Sequence, residues 1–238
     1  GRALGVKAEF FLRENTVDLT VPAYRKHSKM GKREQESVEA NIKEVMERYL
    51  QIEAIRPTES GMSFAVPSYE VSTTEDAEKA ADSLRNTWDL GTDSIDSLCG
   101  VLESRGVRVV VLDGPDRFDG LCGLVNGSIP VVAYNGRLPG DRQRFTLAHE
   151  LGHLVLTTDD ESLAHRFAGA FLVPRTAVYR ELGSQRIGLN LEELKLLKRK
   201  YGMSIQAWVM RAYQLGIISD ISRQRTFRRL SKLGMRTV

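Results

Sequence analysis

The chain has few cysteines, little net charge and no long apolar run, and each shortage argues against a class of protein. Its two cysteines, Cys99 and Cys122, are too few for a disulfide framework or a cysteine zinc knuckle, which favours a reducing cytoplasm. A formal net charge of +3 does not by itself indicate nucleic-acid binding. No apolar run approaches the ~20 residues that a membrane span needs, and no secretory leader is recognised. The composition therefore favours a globular cytoplasmic protein with no membrane partner.

Histidine is scarce as well, and two of the four histidines lie close together. His149 and His153 belong to the pattern H-E-x-x-H, in a segment (145–156) that reads as a short helix. Residues four apart on an α-helix project from one face, so both imidazoles can bind one zinc ion. Glu150 can then reach a water on that ion. These residues alone leave one alternative, in which the two histidines lie on an ordinary amphipathic helix and bind no metal.

A catalytic zinc site needs a third protein ligand and an open position for water, and three downstream residues are candidates. Asp159 has the six-residue spacing from His153 of a metzincin ligand, but Leu156 stands where that arrangement needs a glycine. His165 lies twelve residues after His153. Glu161 opens the next predicted helix, where a carboxylate complements the helix N-terminus. We favour Glu161, because a short loop lets its helix fold back over the first.

The N-terminal residues 1–20 are expected to be the remnant of a helix-turn-helix domain. The segments 4–6 and 10–12 are similar to the closing helices of phage-repressor-type domains, and the helices that would enter a DNA groove are missing. A plain N-terminal helix is the alternative. Because the chain begins at Gly1 without an initiator methionine, we expect that an upstream segment has been removed.

Residues 21–73 are predicted to be a linker that contains one long amphipathic helix. The segment 34–55 has no glycine or proline, and its apolar residues recur at near-helical spacing. This helix can serve as a spacer or as a dimer contact, so a homodimer is one expectation. Prolines, serines and threonines in the segment 57–73 mark the end of the linker.

The predicted metal-binding domain, residues 74–182, combines helices with a small antiparallel sheet. Asn126 and Gly127 form a strong two-residue hairpin signal between two of three predicted strands. Pro130 cannot donate a hydrogen bond to a neighbouring strand, so the third strand is expected at a sheet edge. There it could hold an extended substrate by strand addition. The predicted strands cover residues 107–112, 120–125 and 128–134.

Residues 183–238 are predicted to be a C-terminal helical region that ends in a basic cluster. A solvated helix face explains such a cluster, and direct binding to nucleic acid is the alternative. The cluster consists of Arg223, Arg225, Arg228, Arg229, Lys232 and Arg236.

Two neighbouring segments, 142–153 and 161–174, together resemble the ImmA/IrrE metallopeptidase family. The family signature is H-E-x-x-H followed by E-x-x-A-x-x-F-A-x-x-L-L-x-P, and the resemblance extends over about residues 75–182. Two departures are a short gap between the motifs and Phe171 in place of the usual leucine. The matching residues are His149, Glu150, His153, Glu161, Ala164, Phe167, Ala168, Leu172 and Pro174.

This resemblance implies a fold, a metal and a function. The implied fold is α+β, a zincin-like core with about three antiparallel strands packed on the H-E-x-x-H helix and further helices on its flanks. The implied ligands of Zn²⁺, with Mn²⁺ as an alternative, are His149, His153 and Glu161, and Glu150 is the implied catalytic residue. The implied activity is that of a zinc metalloendopeptidase that cleaves a repressor or antitoxin to control transcription. The missing upstream domain would bind DNA.

Two questions about function are left open by the sequence. The same fold could serve a transcriptional regulator that senses a ligand or a metal and does not cleave. For an enzyme, a second donor should stabilise the oxyanion of the transition state, and the candidates are His165, Tyr134 and Arg144. His165 is the first choice, because it lies one turn after Glu161 on the same helix face.

Overall fold

The computed structural model describes residues 17–21, 30–55 and 67–235. The predicted helix-turn-helix remnant therefore lies outside the described residues, apart from its last four positions. Most of the predicted linker end, 57–73, lies outside them too. None of the described helices combines the length and the apolar character needed to cross a bilayer.

The described part of the chain contains four strands and nine helices. In chain order they are β1 (Leu19–Thr20), α1 (Lys32–Ile55), α2 (Thr74–Thr87), α3 (Leu98–Ser104), β2 (Arg108–Leu112), β3 (Gly120–Val125), β4 (Ile129–Asn135), α4 (Gly140–Val155), α5 (Glu161–Leu172), α6 (Arg175–Leu182), α7 (Leu191–Tyr201), α8 (Ile205–Gln214) and α9 (Asp220–Lys232). The α+β class predicted from the sequence is confirmed.

The strands form one mixed sheet in the order β1-β3-β4-β2. Strands β3 and β4 are the predicted antiparallel hairpin, and Asn126 and Gly127 both have positive φ, as its two-residue turn requires. The expectation of about three antiparallel strands is wrong in two respects. Strand β1 adds a fourth strand beside β3. Strand β2 pairs parallel with β4, because the chain reverses direction twice between them and β4 inserts between β3 and β2.

The prediction that Pro130 marks an edge strand is also wrong, because β4 is an inner strand. Pro130 pairs with Leu124 of β3, whereas the ladder with β2 begins one residue later, at Arg108 and Val131. The proline therefore precedes the first pair on the β2 side and needs no donor there. With neighbours on both sides, β4 cannot accept an added substrate strand.

Side chains of β4 alternate between two apolar layers on opposite faces of the sheet. Val132 and Tyr134 belong to the larger layer, which includes the core residues of α4 and α5. Val131 and Ala133 belong to the smaller layer. Helix α1 covers this second face with Val38, Ile42 and Met46. The helix predicted as a spacer or dimer contact thus packs on the sheet, and a role in dimerisation stays a prediction.

The described end of the predicted linker is attached to the last turn of α4. The Tyr69 amide donates to the Val155 carbonyl at 2.8 Å, and the Thr157 amide donates to the Tyr69 carbonyl at 3.0 Å. A short bridge between Tyr69 and Leu156 results. After this contact, Thr73 caps α2 through a capping box with Asp76.

A buried ion cluster joins α2, α5 and α8. The Glu78 carboxylate, 1% exposed, accepts two hydrogen bonds from Arg211, one of them 2.8 Å from Nη2 to Oε2. The same carboxylate lies 2.5 Å from Nε of Arg166. Arg211 also donates to the Val173 carbonyl at 3.2 Å. Since buried charges are stable only with partners, this cluster fixes the position of α5, the helix that begins at Glu161.

Replacing Glu78 by alanine is expected to lower the free energy of unfolding by about 3–5 kcal/mol, because Arg166 and Arg211 would stay buried without their counter-charge. Urea denaturation measures the change. The control is Glu75→Ala, which removes an exposed pair with Arg175 and should cost less than about 1 kcal/mol. Equal effects of the two substitutions would contradict the prediction.

Candidate metal centre

The packing of α4 on the sheet decides where its polar residues point. Apolar residues of α4 enter the large core on one side of the helix. His153 is fully buried and His149 is partly buried, on the flank that faces α5. The core residues of α4 are Leu147, Ala148, Leu151 and Val155.

A glycine in the middle of α4 allows α5 to approach closely. A Cβ atom on Gly152 would lie 3.0 Å from the Phe167 ring and 3.5 Å from the Ala164 carbonyl oxygen, so a larger residue would push the helices apart. Helix α5 itself starts at a fixed point, because the Asp160 side chain accepts a 2.8 Å hydrogen bond from the Ser162 amide. Glu161 is its first residue.

Three side chains from α4 and α5 bring their donor atoms together. The Nε2 atoms of His149 and His153 are 3.0 Å apart. Oε2 of Glu161 lies 3.0 Å from Nε2 of His149 and 3.4 Å from Nε2 of His153. Ligand atoms of a tetrahedral zinc ion are about 3.3 Å apart, given zinc–ligand bonds of about 2.0–2.1 Å. These residues therefore fit one divalent ion, and the Glu161 side chain, 59% exposed, lies on the solvent side.

Glu150 lies on the side of α4 that packs against β3 of the sheet. The residue is 2% exposed, and β3 packs directly over it. A Cβ atom on Gly120 would overlap the Thr146 methyl group and lie 3.2 Å from Cγ of Glu150. Only a residue without a side chain lets β3 approach α4 here, so Gly120 permits the strand to pack against the Glu150 side chain.

His165 also lies at this centre, one turn after Glu161 on α5. Its ring packs between Phe145, at a centroid distance of 5.6 Å, and His149, at 4.4 Å. A ring nitrogen lies within 4.8 Å of the donor atoms of His149 and Glu161. Burial of the ring lowers the pKa of His165, His149 lowers it further, and Glu161 opposes the shift. The lowered pKa favours the neutral ring, which has both a donor and an acceptor nitrogen.

The other candidates of the sequence analysis have different partners. The Tyr134 hydroxyl lies 4.0 Å from Sγ of Cys99, and burial raises the pKa of Tyr134 to about 12. Arg144 donates to the Ile95 carbonyl, and burial lowers its pKa. Asp159 is exposed in the loop before α5 and does not belong to the group of described residues that converge on the metal centre.

An H-E-x-x-H helix on a small sheet, with a carboxylate from the following helix against both histidines, defines a zincin-like protein. Within this class, residues 102–213 match the model of the Peptidase_M78 family, described as the IrrE N-terminal-like domain. This part of the chain is therefore similar to IrrE N-terminal-like domains. The match begins and ends later than the segment on which the sequence resemblance rests, and it includes α7 and most of α8.

Among solved structures, a Mycobacterium tuberculosis transcriptional regulator is partly similar, with a TM-score of 0.42 and 22% sequence identity. The alignment covers 57% of this chain and 46% of that protein, so this chain spans less than half of its length. No curated protein matches the chain.

Proposed function

We propose that the protein is a metal-dependent endopeptidase, with zinc as its metal and manganese as the alternative. The observation that carries the proposal is the convergence of three donor atoms, from His149, His153 and Glu161, within 3.0–3.4 Å of one another. A carboxylate, Glu150, follows the first of these ligands on the same helix. The match of residues 102–213 to the model of a peptidase family supports the same function.

The proposed reaction divides the work between the metal and the protein. A zinc ion bound here would polarise the scissile carbonyl and lower the pKa of the attacking water towards ~7. Glu150 would accept the proton of that water and then donate it to the leaving amine. Because Glu150 is buried under β3, its carboxylate is held in place for both transfers. The neutral ring of His165 would donate a hydrogen bond to the carbonyl oxygen as negative charge develops there.

The proposed substrate is a regulatory DNA-binding protein, either a repressor or an antitoxin, in the cytoplasm. This class is supported by the resemblance of the two motifs to the ImmA/IrrE family. In that view, the remnant predicted over residues 1–20 connects the peptidase to a DNA-binding domain upstream.

Metal removal tests the proposal. The purified chain would be incubated with a proteome-derived peptide library, and new N-termini would be identified by mass spectrometry. We expect cleavage that stops after treatment with 1,10-phenanthroline and returns when Zn²⁺ or Mn²⁺ is added. Elemental analysis of the same samples measures the bound metal. A chain that binds metal but produces no new N-termini, from peptides or from co-expressed repressors, would favour the non-proteolytic regulator.

A further inference from the structure

The α5 helix presents two side chains that can bind a metal, Glu161 and His165, to α4. A site with three protein ligands and one open position needs only one of them beside the two α4 histidines. Glu161 contacts both histidines of α4, and His165 lies one turn later against the first of them. The ring centroids of His149 and His165 are 4.4 Å apart. This separation is close to that of the two α4 histidines, His149 and His153, whose ring centroids are 4.5 Å apart. The His165 ring therefore packs on His149 as closely as the His153 ring does.

We propose that His165 is a fourth, displaceable ligand that closes the metal site when no substrate is bound. The proposal rests on the proposed function, since it assumes the site formed by His149, His153 and Glu161. A His165 ring nitrogen lies within 4.8 Å of the donor atoms of His149 and Glu161. A zinc ion holds its ligand atoms about 3.3 Å apart, and side-chain rotation of His165 can supply this contraction.

The contacts of His165 would allow this side chain to move away from a bound metal. His153 is completely buried, whereas His165 is exposed on its solvent side. Aromatic packing against Phe145 and His149 holds the ring. Within the described part of the chain, no hydrogen bond fixes the ring nitrogens of His165. The side chain can therefore move away from the metal without losing a hydrogen bond or opening a cavity in the core.

A displaceable fourth ligand would make the peptidase selective. Zinc sites with four protein ligands are closed, whereas catalytic sites keep one position open. A short peptide would have to displace His165 with its carbonyl group alone, so we expect its cleavage to be slow but measurable. A protein substrate that binds over a larger surface can supply the energy for this displacement. The freed ring then lies beside the carbonyl oxygen, where the proposed oxyanion donor is needed.

Cobalt substitution tests the fourth ligand without any cleavage assay. The full chain would be loaded with Co²⁺, and its visible absorption would be recorded during titration with azide. We expect no spectral change with the wild type, and a saturable change with His165→Ala and His165→Gln, in which the fourth position is open. Competition with a chromogenic chelator should show that both variants bind Co²⁺ at least about 10-fold more weakly. This minimum is the lower end of the effect of losing an outer-shell partner, and loss of a direct ligand should not be smaller. Asp159→Ala, an exposed carboxylate outside the site, is the control.

Three outcomes decide whether His165 is the fourth ligand. Equal azide binding and equal Co²⁺ affinity in wild type and both His165 variants would show that His165 is not a ligand. A Co²⁺ spectrum that is unchanged by His149→Ala would place the metal elsewhere and overturn the site and the fourth ligand together. Absence of cleavage, with azide excluded by the wild type and admitted by His165→Ala, would reject the peptidase and support the closed site.

Discussion

Replacement of Glu150 by glutamine is expected to slow peptide cleavage by about 10²–10⁴-fold, the usual contribution of a general acid–base residue. Glutamine has nearly the same shape as glutamate but cannot accept the proton of the attacking water. Since Glu150 is buried beneath Gly120 of β3, a residue of equal size avoids a cavity and a clash. Metal content should stay at the wild-type level, because the three proposed ligands are other residues.

Steady-state kinetics on one cleaved peptide, with elemental analysis of the same preparations, measure this effect. Urea denaturation of the variant separates lost chemistry from lost folding. Glu103→Gln is the matched control, because Glu103 is exposed on α3 and is not one of the side chains that converge on the candidate metal centre. A Glu150→Gln protein that binds metal and cleaves at the wild-type rate would exclude Glu150 as the base.

Local patterns in the sequence predicted those parts of the fold that depend on neighbouring residues. The two-residue turn at Asn126 and Gly127 needs only a few consecutive residues, and it is confirmed. Strand order depends instead on pairs that are distant in sequence. Leu19 of β1 pairs with Val125, and nothing near Leu19 identifies that partner. For the same reason, the apolar face of α1 indicated a buried surface without indicating which face of which sheet it covers.

The spacing of H-E-x-x-H fixed two side chains on one helix face, but the third position depended on the course of the loop after α4. Asp159, Glu161 and His165 were all possible from the sequence, and the structure brings Glu161 and His165 to the centre and leaves Asp159 in the loop. Gly120 and Gly152 were not among the residues predicted for the site. A glycine inside a strand or a helix is a signal of close packing, and both glycines permit such contacts at this site.

The largest effect on metal affinity is expected from Glu161→Ala. Loss of an outer-shell partner weakens metal binding by about 10–100-fold, and loss of a direct ligand should weaken it further. The Glu161 side chain is 59% exposed, so its removal leaves no cavity in the core. The apo protein should therefore keep its thermal midpoint, while the increase in that midpoint that added Zn²⁺ produces in the wild type should disappear.

Zinc titration against a chromogenic chelator, together with thermal unfolding at several Zn²⁺ concentrations, measures both quantities. Asp159→Ala is the control, because it removes a carboxylate from the same loop region without removing a proposed ligand. Glu161→Asp should give an intermediate affinity, since its carboxylate is one methylene group farther from the two histidines of α4. If Asp159→Ala abolishes zinc binding and Glu161→Ala does not, the third ligand is Asp159 in the loop and not Glu161 at the start of α5. If Glu161→Ala alone abolishes it, the start of α5 completes the metal site, because the close contact at Gly152 brings that helix onto α4.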